Sequence, residues 1–203
     1  MGNIHIFDDL AENYDTEMRK EVASYTADMI RETIRQLDIK GKTFLDYGCG
    51  TGLVGLSLSD LFETSIFIDA SPNMAASIQK KINQIGMKNA RVICGDAAGS
   101  LDPGIQADVL IVVQVLLHED DVRTLLAKLY DRVSPGGTII IVDYERNDHV
   151  ESDRVHPGFE LMRLQADLLS AGFEPIYFSP FLHAEKIFMG QNASLFILVG
   201  KKQ

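Results

Sequence analysis

Residues 44–53, Phe-Leu-Asp-Tyr-Gly-Cys-Gly-Thr-Gly-Leu, constrain the fold more than any other stretch of the chain. The short apolar run at 43–47 reads as a buried strand, and it passes directly into three alternating glycines. Leu53, Val54, Leu56, Leu58 and Leu61 follow and suggest a helix. Glycine reaches positive φ and lets a ligand approach the backbone closely. A helix N-terminus beyond it offers unpaired N–H groups to an anion. In a doubly wound sheet, ligands sit at the carboxyl ends of the strands, where the strand order reverses. The stretch therefore predicts a small-molecule pocket with an anion-compatible floor.

The rest of the chain repeats the strand–helix alternation. Met18, Val22, Tyr25, Met29 and Leu37 mark a helix over 16–37. Residues 65–70 (SIFIDA) predict a second strand, and Ser71-Pro72 caps and opens the next helix, which Gly86 ends. Strands follow at 90–94, 107–114 and 138–144, with a helix over 119–133 and a turn at Ser134-Pro135-Gly136-Gly137. Leu161, Leu164, Leu168 and Leu169 mark a last helix, closed by Gly172. Residues 175–181 and 194–199 predict two final strands with no helix between them, suited to an antiparallel edge pair. Alternation of this kind implies right-handed crossovers and a mostly parallel sheet. Strands that are apolar throughout fit a sheet covered on both faces.

Length and composition support one domain. The 203 residues are 46% hydrophobic and 24% charged, as in ordinary globular chains. The net charge of −10 opposes general nucleic-acid binding. Cys49 and Cys94 cannot form a disulfide framework and have no zinc-type spacing, and residues 1–10 lack a basic-then-apolar leader pattern, so a cytoplasmic location is expected. The longest apolar run, residues 109–117, falls short of the ~20 residues of a membrane span, so no membrane partner is expected.

The glycine loop has two chemical readings. Gly50-Thr51-Gly52-Leu53-Val54-Gly55 matches G-x-G-x-x-G, and Asp69 lies where a ribose-binding acid of a dinucleotide site is expected. Asp46 opposes that reading, because a carboxylate at the strand end disfavours a pyrophosphate. It suits a ligand with a cation beside its carboxylate.

In that light the chain resembles the class I S-adenosylmethionine-dependent methyltransferases over nearly its whole length. Asp46-Tyr47-Gly48-Cys49-Gly50-Thr51-Gly52 is similar to their D-x-G-x-G-x-G loop, and residues 67–74 to their second motif. Gly95-Asp96-Ala97 is similar to the third motif and Gln114-Val115-Leu116-Leu117-His118 to the fourth. Residues 134–138 resemble the turn before the fifth strand, and residues 7–15 an extension that lids the cofactor. The resemblance implies a single Rossmann-like α/β domain over 1–203: a helical extension at 1–38, and a core at 43–203 with a mostly parallel seven-stranded sheet whose last strand is antiparallel.

The resemblance also implies the cofactor S-adenosyl-L-methionine, with S-adenosyl-L-homocysteine as product. Asp46 would hold the ammonium. The amides of Gly48, Cys49, Gly50 and Gly52, with the helix end, would hold the carboxylate. Asp69 would accept from the ribose hydroxyls and Asp96 from the adenine amine, with Ala97 beside it. Ala70 and Met74 would pack on the adenine, and Tyr14 and Gln114 would complete the pocket. His118, Tyr14 and His156 are candidates on the acceptor side, and Lys186 belongs with them. Capping or turn roles compete for Asp46, Asp69 and Asp96, core packing for Tyr14, and a plain loop role for His118. Some members hold magnesium with acids after the fourth and fifth strands. Here Asp143 ends the fifth, but Gln114 ends the fourth, so no metal site is expected.

No base-amine or cytosine-type signature follows the fourth strand, which with the acidic charge favours a small-molecule acceptor. The accepting atom and the oligomeric state are open. A non-catalytic cofactor-binding module and an NAD-dependent oxidoreductase are the alternatives.

Overall fold

The computed structural model describes Asp8, residues 11–96, Asp102, residues 104–153 and residues 155–203. Seven strands form one sheet: β1 (Thr43–Tyr47), β2 (Thr64–Asp69), β3 (Ala90–Cys94), β4 (Ala107–Val113), β5 (Val133–Tyr144), β6 (Phe173–Phe188) and β7 (Gln191–Lys202). Their order is β3-β2-β1-β4-β5-β7-β6, with β7 alone running antiparallel to its neighbours. The order reverses between β1 and β4, so a crevice opens at the carboxyl end of β1, where the glycine loop begins. The central strands are apolar because both faces are covered: Leu110, Ile111, Ile140, Ile141 and Leu198 are fully buried.

The helices are α1 (Glu17–Gln36), α2 (Gly55–Leu58), α3 (Pro72–Ile85), α4 (Val122–Tyr130) and α5 (Leu161–Ser170). Thr16 caps α1, and Ser71 caps α3 by accepting from the Met74 N–H at 3.2 Å. Gly86 ends α3 at φ 68°. α1 buries Ala23, Ala27, Ile30 and Ile34, with Thr26 and Thr33 on the same face. Met18 and Tyr25, expected on the inner face, are 50% and 52% exposed, because the face that packs runs through Ala23, Thr26, Ala27, Ile30, Thr33 and Ile34.

Three elements depart from the sequence expectation. The helix after the glycine loop shrinks to four residues and continues as a 3-10 turn over Ser59–Leu61. The helix expected over 119–133 starts at Val122, where Asp121 caps it through the Thr124 N–H at 3.0 Å. The predicted turn at 134–137 lies inside β5 as a bulge. Pairing passes from Ala107↔Val133 to Val109↔Thr138, with Gly136 at φ 74°. The last two strands are much longer than their apolar cores. They meet in a two-residue turn, Met189-Gly190, with φ 49° and 77°, the geometry that right-handed strand twist favours.

Candidate functional site

At the carboxyl end of β1 the chain turns through Gly48, Gly50 and Gly52, all at positive φ. Two of these cannot carry a side chain. A Cβ at Gly48 would lie 2.4 Å from Val115 Cγ2, and one at Gly52 would lie 2.6 Å from Ile78 Cδ1. Gly55 is required for another reason: its Cβ would lie 2.1 Å from Asp46 Oδ2. The carboxylate of Asp46 therefore rests on the glycine backbone.

Asp46 is only 3% exposed. Burial, and then the neighbouring Asp69 carboxylate, push its pKa up to about 8, against the pull of the Gly55 backbone amide. No cation pairs with it among the described residues. Such a group stays protonated near neutrality unless a cation arrives beside it.

Asp69, at the end of β2, bridges two loops. Its Oδ2 accepts from the Gly50 N–H at 2.7 Å and its Oδ1 from the Ser71 N–H at 2.9 Å. Each oxygen keeps a lone pair for a hydroxyl of a ligand. Burial raises its pKa, and these two amides partly offset that. Asp96 lies two residues past β3 and accepts from Tyr47 Oη at 2.9 Å. Adjacent strands thus present three carboxylates in a row.

Two cavities meet along this row. One, of about 340 Å³, is lined by Asp69, Ala70, Met74, Asp96, Val115 and Glu119. The other, of about 320 Å³, is lined by Asp46, Cys49, Arg19, Val22, Tyr144 and Phe188. Tyr14, Gly48, Gly50, Gln114 and His118 line both. Tyr14, Asp46, Gly48, Cys49, Gly50, Asp69, Ala70, Met74, Asp96 and Gln114 thus line two adjoining cavities. Gly52 shapes the turn behind it, and Ala97 lies outside the described residues. Cys49 is buried, and burial with the nearby Asp46 and Asp69 holds its thiol well above its ordinary pKa, so it stays a thiol.

The donors differ from the expectation. The Gly48 and Cys49 amides donate to Ile68 O, Gly50 to Asp69, and Gly52 to Cys49 O. The four-residue α2 is too short to act as an anion site. The loop leaves the amides of Thr51, Leu53 and Val54 with no backbone partner among the described residues, and these three residues line the cavity of Asp46.

Gln114 takes φ 54°, uncommon for a side-chain-bearing residue and concentrated at functional sites. Its Nε2 donates to Tyr144 Oη at 2.9 Å, and Tyr144 Oη donates to Ile187 O at 2.9 Å. Tyr144 also stacks on Phe188 with centroids 4.2 Å apart. This chain links the end of β4 to the tip of the β6–β7 hairpin. Asp143, fully buried, accepts from the Leu117 N–H at 3.3 Å and the Tyr144 N–H at 2.9 Å and so holds the turn that carries His118. Burial raises its pKa to about 7.

Among the acceptor-side candidates, Tyr14 and His118 stand where the cavities join. Burial raises the pKa of Tyr14, and Arg19 lies over its ring at 4.1 Å. His156 is elsewhere: it stacks on Phe159 at 4.9 Å in a separate surface cleft with Arg146 and Arg163. Its backbone N–H donates to Leu117 O at 2.7 Å, so it braces the His118 turn from outside. Lys186 is exposed in a hairpin bulge at φ 58°, next to the lining residue Ile187 but not lining either cavity itself.

The sequence reading missed the contacts that fix the N-terminal segment. Asp15 accepts from Lys81 Nζ at 2.7 Å and from Thr51 Oγ1, while Lys81 also donates to Thr51 O at 2.7 Å. Asp8 accepts from Ser71 Oγ, and its carbonyl accepts from Asn73 Nδ2 at 3.1 Å. Both acids fall within the 7–15 motif, which was the available signal. Tyr47 was missed because it occupies a variable position of the loop motif.

Residues 44–137 match a family model described as a methyltransferase domain. The mitochondrial ubiquinone biosynthesis O-methyltransferase of Schizosaccharomyces pombe is 32% identical over 123 residues, 59% of this chain and 44% of that protein. Phosphoethanolamine N-methyltransferase 3 of Arabidopsis thaliana is 29% identical over 157 residues, 72% of this chain and 32% of that protein. The chain spans less than half the length of these curated relatives. The crystal structure of a SAM-dependent methyltransferase from Aquifex aeolicus has the same fold, with a TM-score of 0.74 over 97% of this chain and 98% of that one at 17% identity.

Proposed function

We propose that this chain belongs to the class I S-adenosylmethionine-dependent methyltransferase family, binds S-adenosylmethionine across the two adjoining cavities and methylates a small-molecule acceptor. The observation that carries the reading is the row of Asp46, Asp69 and Asp96 on three adjacent strands, with Asp46 buried and in want of a cation. The residues fit the cofactor group by group. Asp46 takes the ammonium, and the Thr51, Leu53 and Val54 amides take the carboxylate. Asp69 takes the ribose hydroxyls. Asp96, held by Tyr47, takes the adenine amine over Ala70 and Met74. A pyrophosphate brings no cation to Asp46 and would leave it protonated, so the dinucleotide alternative gives this buried acid no charged partner.

When bound, the cofactor supplies a methyl carbon activated by its sulfonium, and the acceptor's lone pair displaces the thioether. The protein's part is positioning, which can lower a barrier by about 7–11 kcal/mol in well-oriented pairs. Gln114, Tyr14 and His118 line both cavities where they adjoin. His118 is placed to take a proton from a hydroxyl, thiol or carbon acid. Residues 1–203 act in this reading as one domain, with 1–38 as the lid and 43–203 as the core. The similar proteins named for ubiquinone biosynthesis and for phosphoethanolamine support a small-molecule acceptor rather than nucleic acid. Among the described residues no helix is long and apolar enough to cross a membrane.

Transfer of label from methyl-labelled cofactor to a panel of small phenols, amines, thiols and acids tests the reading. We expect labelled product from at least one class, lost in Asp69→Ala along with cofactor binding. Cofactor binding without transfer to any class would favour the non-catalytic module.

A further inference from the structure

We propose that the cavity around Asp46 selects an acceptor that is apolar or aromatic and carries an acidic group, with Arg19 as the residue that binds that acid. The inference rests on the cofactor reading above and names the acceptor class for the same site.

Two surfaces face each other across this cavity. Met18, Arg19 and Val22 come from the first turns of α1, and Ile187, Phe188 and Met189 from the tip of the hairpin. Apart from Arg19 these six side chains are apolar, and Met18 and Met189 are each at least half exposed, at 50% and 55%, so the mouth is apolar and adaptable. Such walls recover free energy from an apolar body and give nothing to a polar one.

Arg19 is the only cation among the described residues that line the cavity. It makes no ion pair with the described residues. Its Nη1 donates to Tyr14 O at 3.0 Å and its guanidinium lies on the Tyr14 ring at 4.1 Å. The group is thus fixed in place, yet most of its five N–H donors are unspent. A planar fork of that kind matches a carboxylate bidentately.

The adjoining cavity repels the same ligand. Asp69, Asp96, Glu119, Asp120 and Asp121 line it against one cation, Lys128. An anion entering the crevice is therefore sorted toward Arg19. In the reading above the cofactor's own carboxylate has donors other than Arg19, since Thr51, Leu53 and Val54 line the same cavity and their amides have no backbone partner among the described residues. Tyr14, beneath the guanidinium, lines both cavities, so an acid held by Arg19 places the rest of the acceptor beside the junction.

Calorimetric titration of the S-adenosylhomocysteine-loaded protein with matched acid and amide pairs tests this: 4-hydroxybenzoate with 4-hydroxybenzamide, salicylate with salicylamide, indole-3-acetate with indole-3-acetamide. At least one acid binds tenfold or more tightly than its amide. Arg19→Gln removes that preference, Arg19→Lys retains part of it, and S-adenosylhomocysteine affinity stays within twofold in both variants. The proposal is overturned if no acid binds, if acids and amides bind alike, or if the preference survives Arg19→Gln. It is also overturned if Arg19→Gln weakens S-adenosylhomocysteine tenfold, which would assign Arg19 to the cofactor's carboxylate. Failure of S-adenosylhomocysteine to bind the unaltered protein would instead remove the cofactor reading itself.

Discussion

Asp46 pairs a charge-disfavouring site with a role that demands charge, and the conflict has measurable consequences. Its pKa stands at about 8 in the fold, against 3.8 for an ordinary aspartate. Between those values the folded chain holds a proton that the unfolded chain has released. Stability therefore falls as pH rises from about 4 to about 8, and is level above that. Asp46→Asn removes this slope, so thermal melting of the ligand-free variant is higher than that of the parent at pH 8–9 and converges with it near pH 4. Binding has the opposite sign. An ammonium beside Asp46 drives the proton off, so titration with S-adenosylhomocysteine at pH 7 in buffers of different ionisation enthalpy should report release of about one proton. In Asp46→Asn the release from this group disappears and affinity drops by at least tenfold. A parent protein that binds with no proton release would mean that Asp46 is not the ammonium partner. The acid at this position is legible in the sequence, as is Asp69. The burial of Asp46 is not, because it depends on Gly55 and on the packing of β1 between β2 and β4.

The elements that carry the site are tied together by side chains far apart in the chain. Lys81 on α3 holds both Asp15 and Thr51, so it joins the N-terminal segment to the glycine loop. The pair is about seven-tenths buried on each side, and the surrounding groups lower the Asp15 pKa, with the hydrogen bonds from Lys81 and Thr51 overcoming burial. A partly shielded pair of this kind is worth about 1 kcal/mol. Lys81→Met should raise the dissociation constant for S-adenosylhomocysteine about fivefold and increase hydrogen exchange at residues 11–16, with α3 unchanged. Unchanged exchange there would mean the segment is held by other contacts. Such ties explain what the sequence hides at this scale. Strand and helix positions follow from periodicity and caps. A lysine within a helix carries no record in the sequence of a partner 66 residues earlier. The hairpin is longer than the sequence predicts for a related reason: beyond residues 175–181 and 194–199 most of its side chains are exposed or half-buried, with Phe173, Phe188 and Ala193 buried among them, and pairing extends the strands past their apolar runs.

Across the whole molecule the sheet does one thing for function: it brings the ends of β1, β2, β3 and β4 to one crevice and sets the β6–β7 hairpin and α1 over it. The strand alternation and the glycine loop made this architecture readable, because a parallel sheet with both faces covered allows few other threadings. The cavity around Asp46 was not readable. Its walls come from α1, the glycine loop, the β4 end and the hairpin tip, and no local pattern records their meeting. Calorimetric titration with S-adenosylhomocysteine, with NAD as the control, tests directly whether the crevice takes S-adenosylmethionine rather than a dinucleotide. Saturable one-to-one binding of S-adenosylhomocysteine, lost in Asp69→Ala, and no binding of NAD are expected. Absence of S-adenosylhomocysteine binding, or preference for NAD, would contradict the S-adenosylmethionine reading.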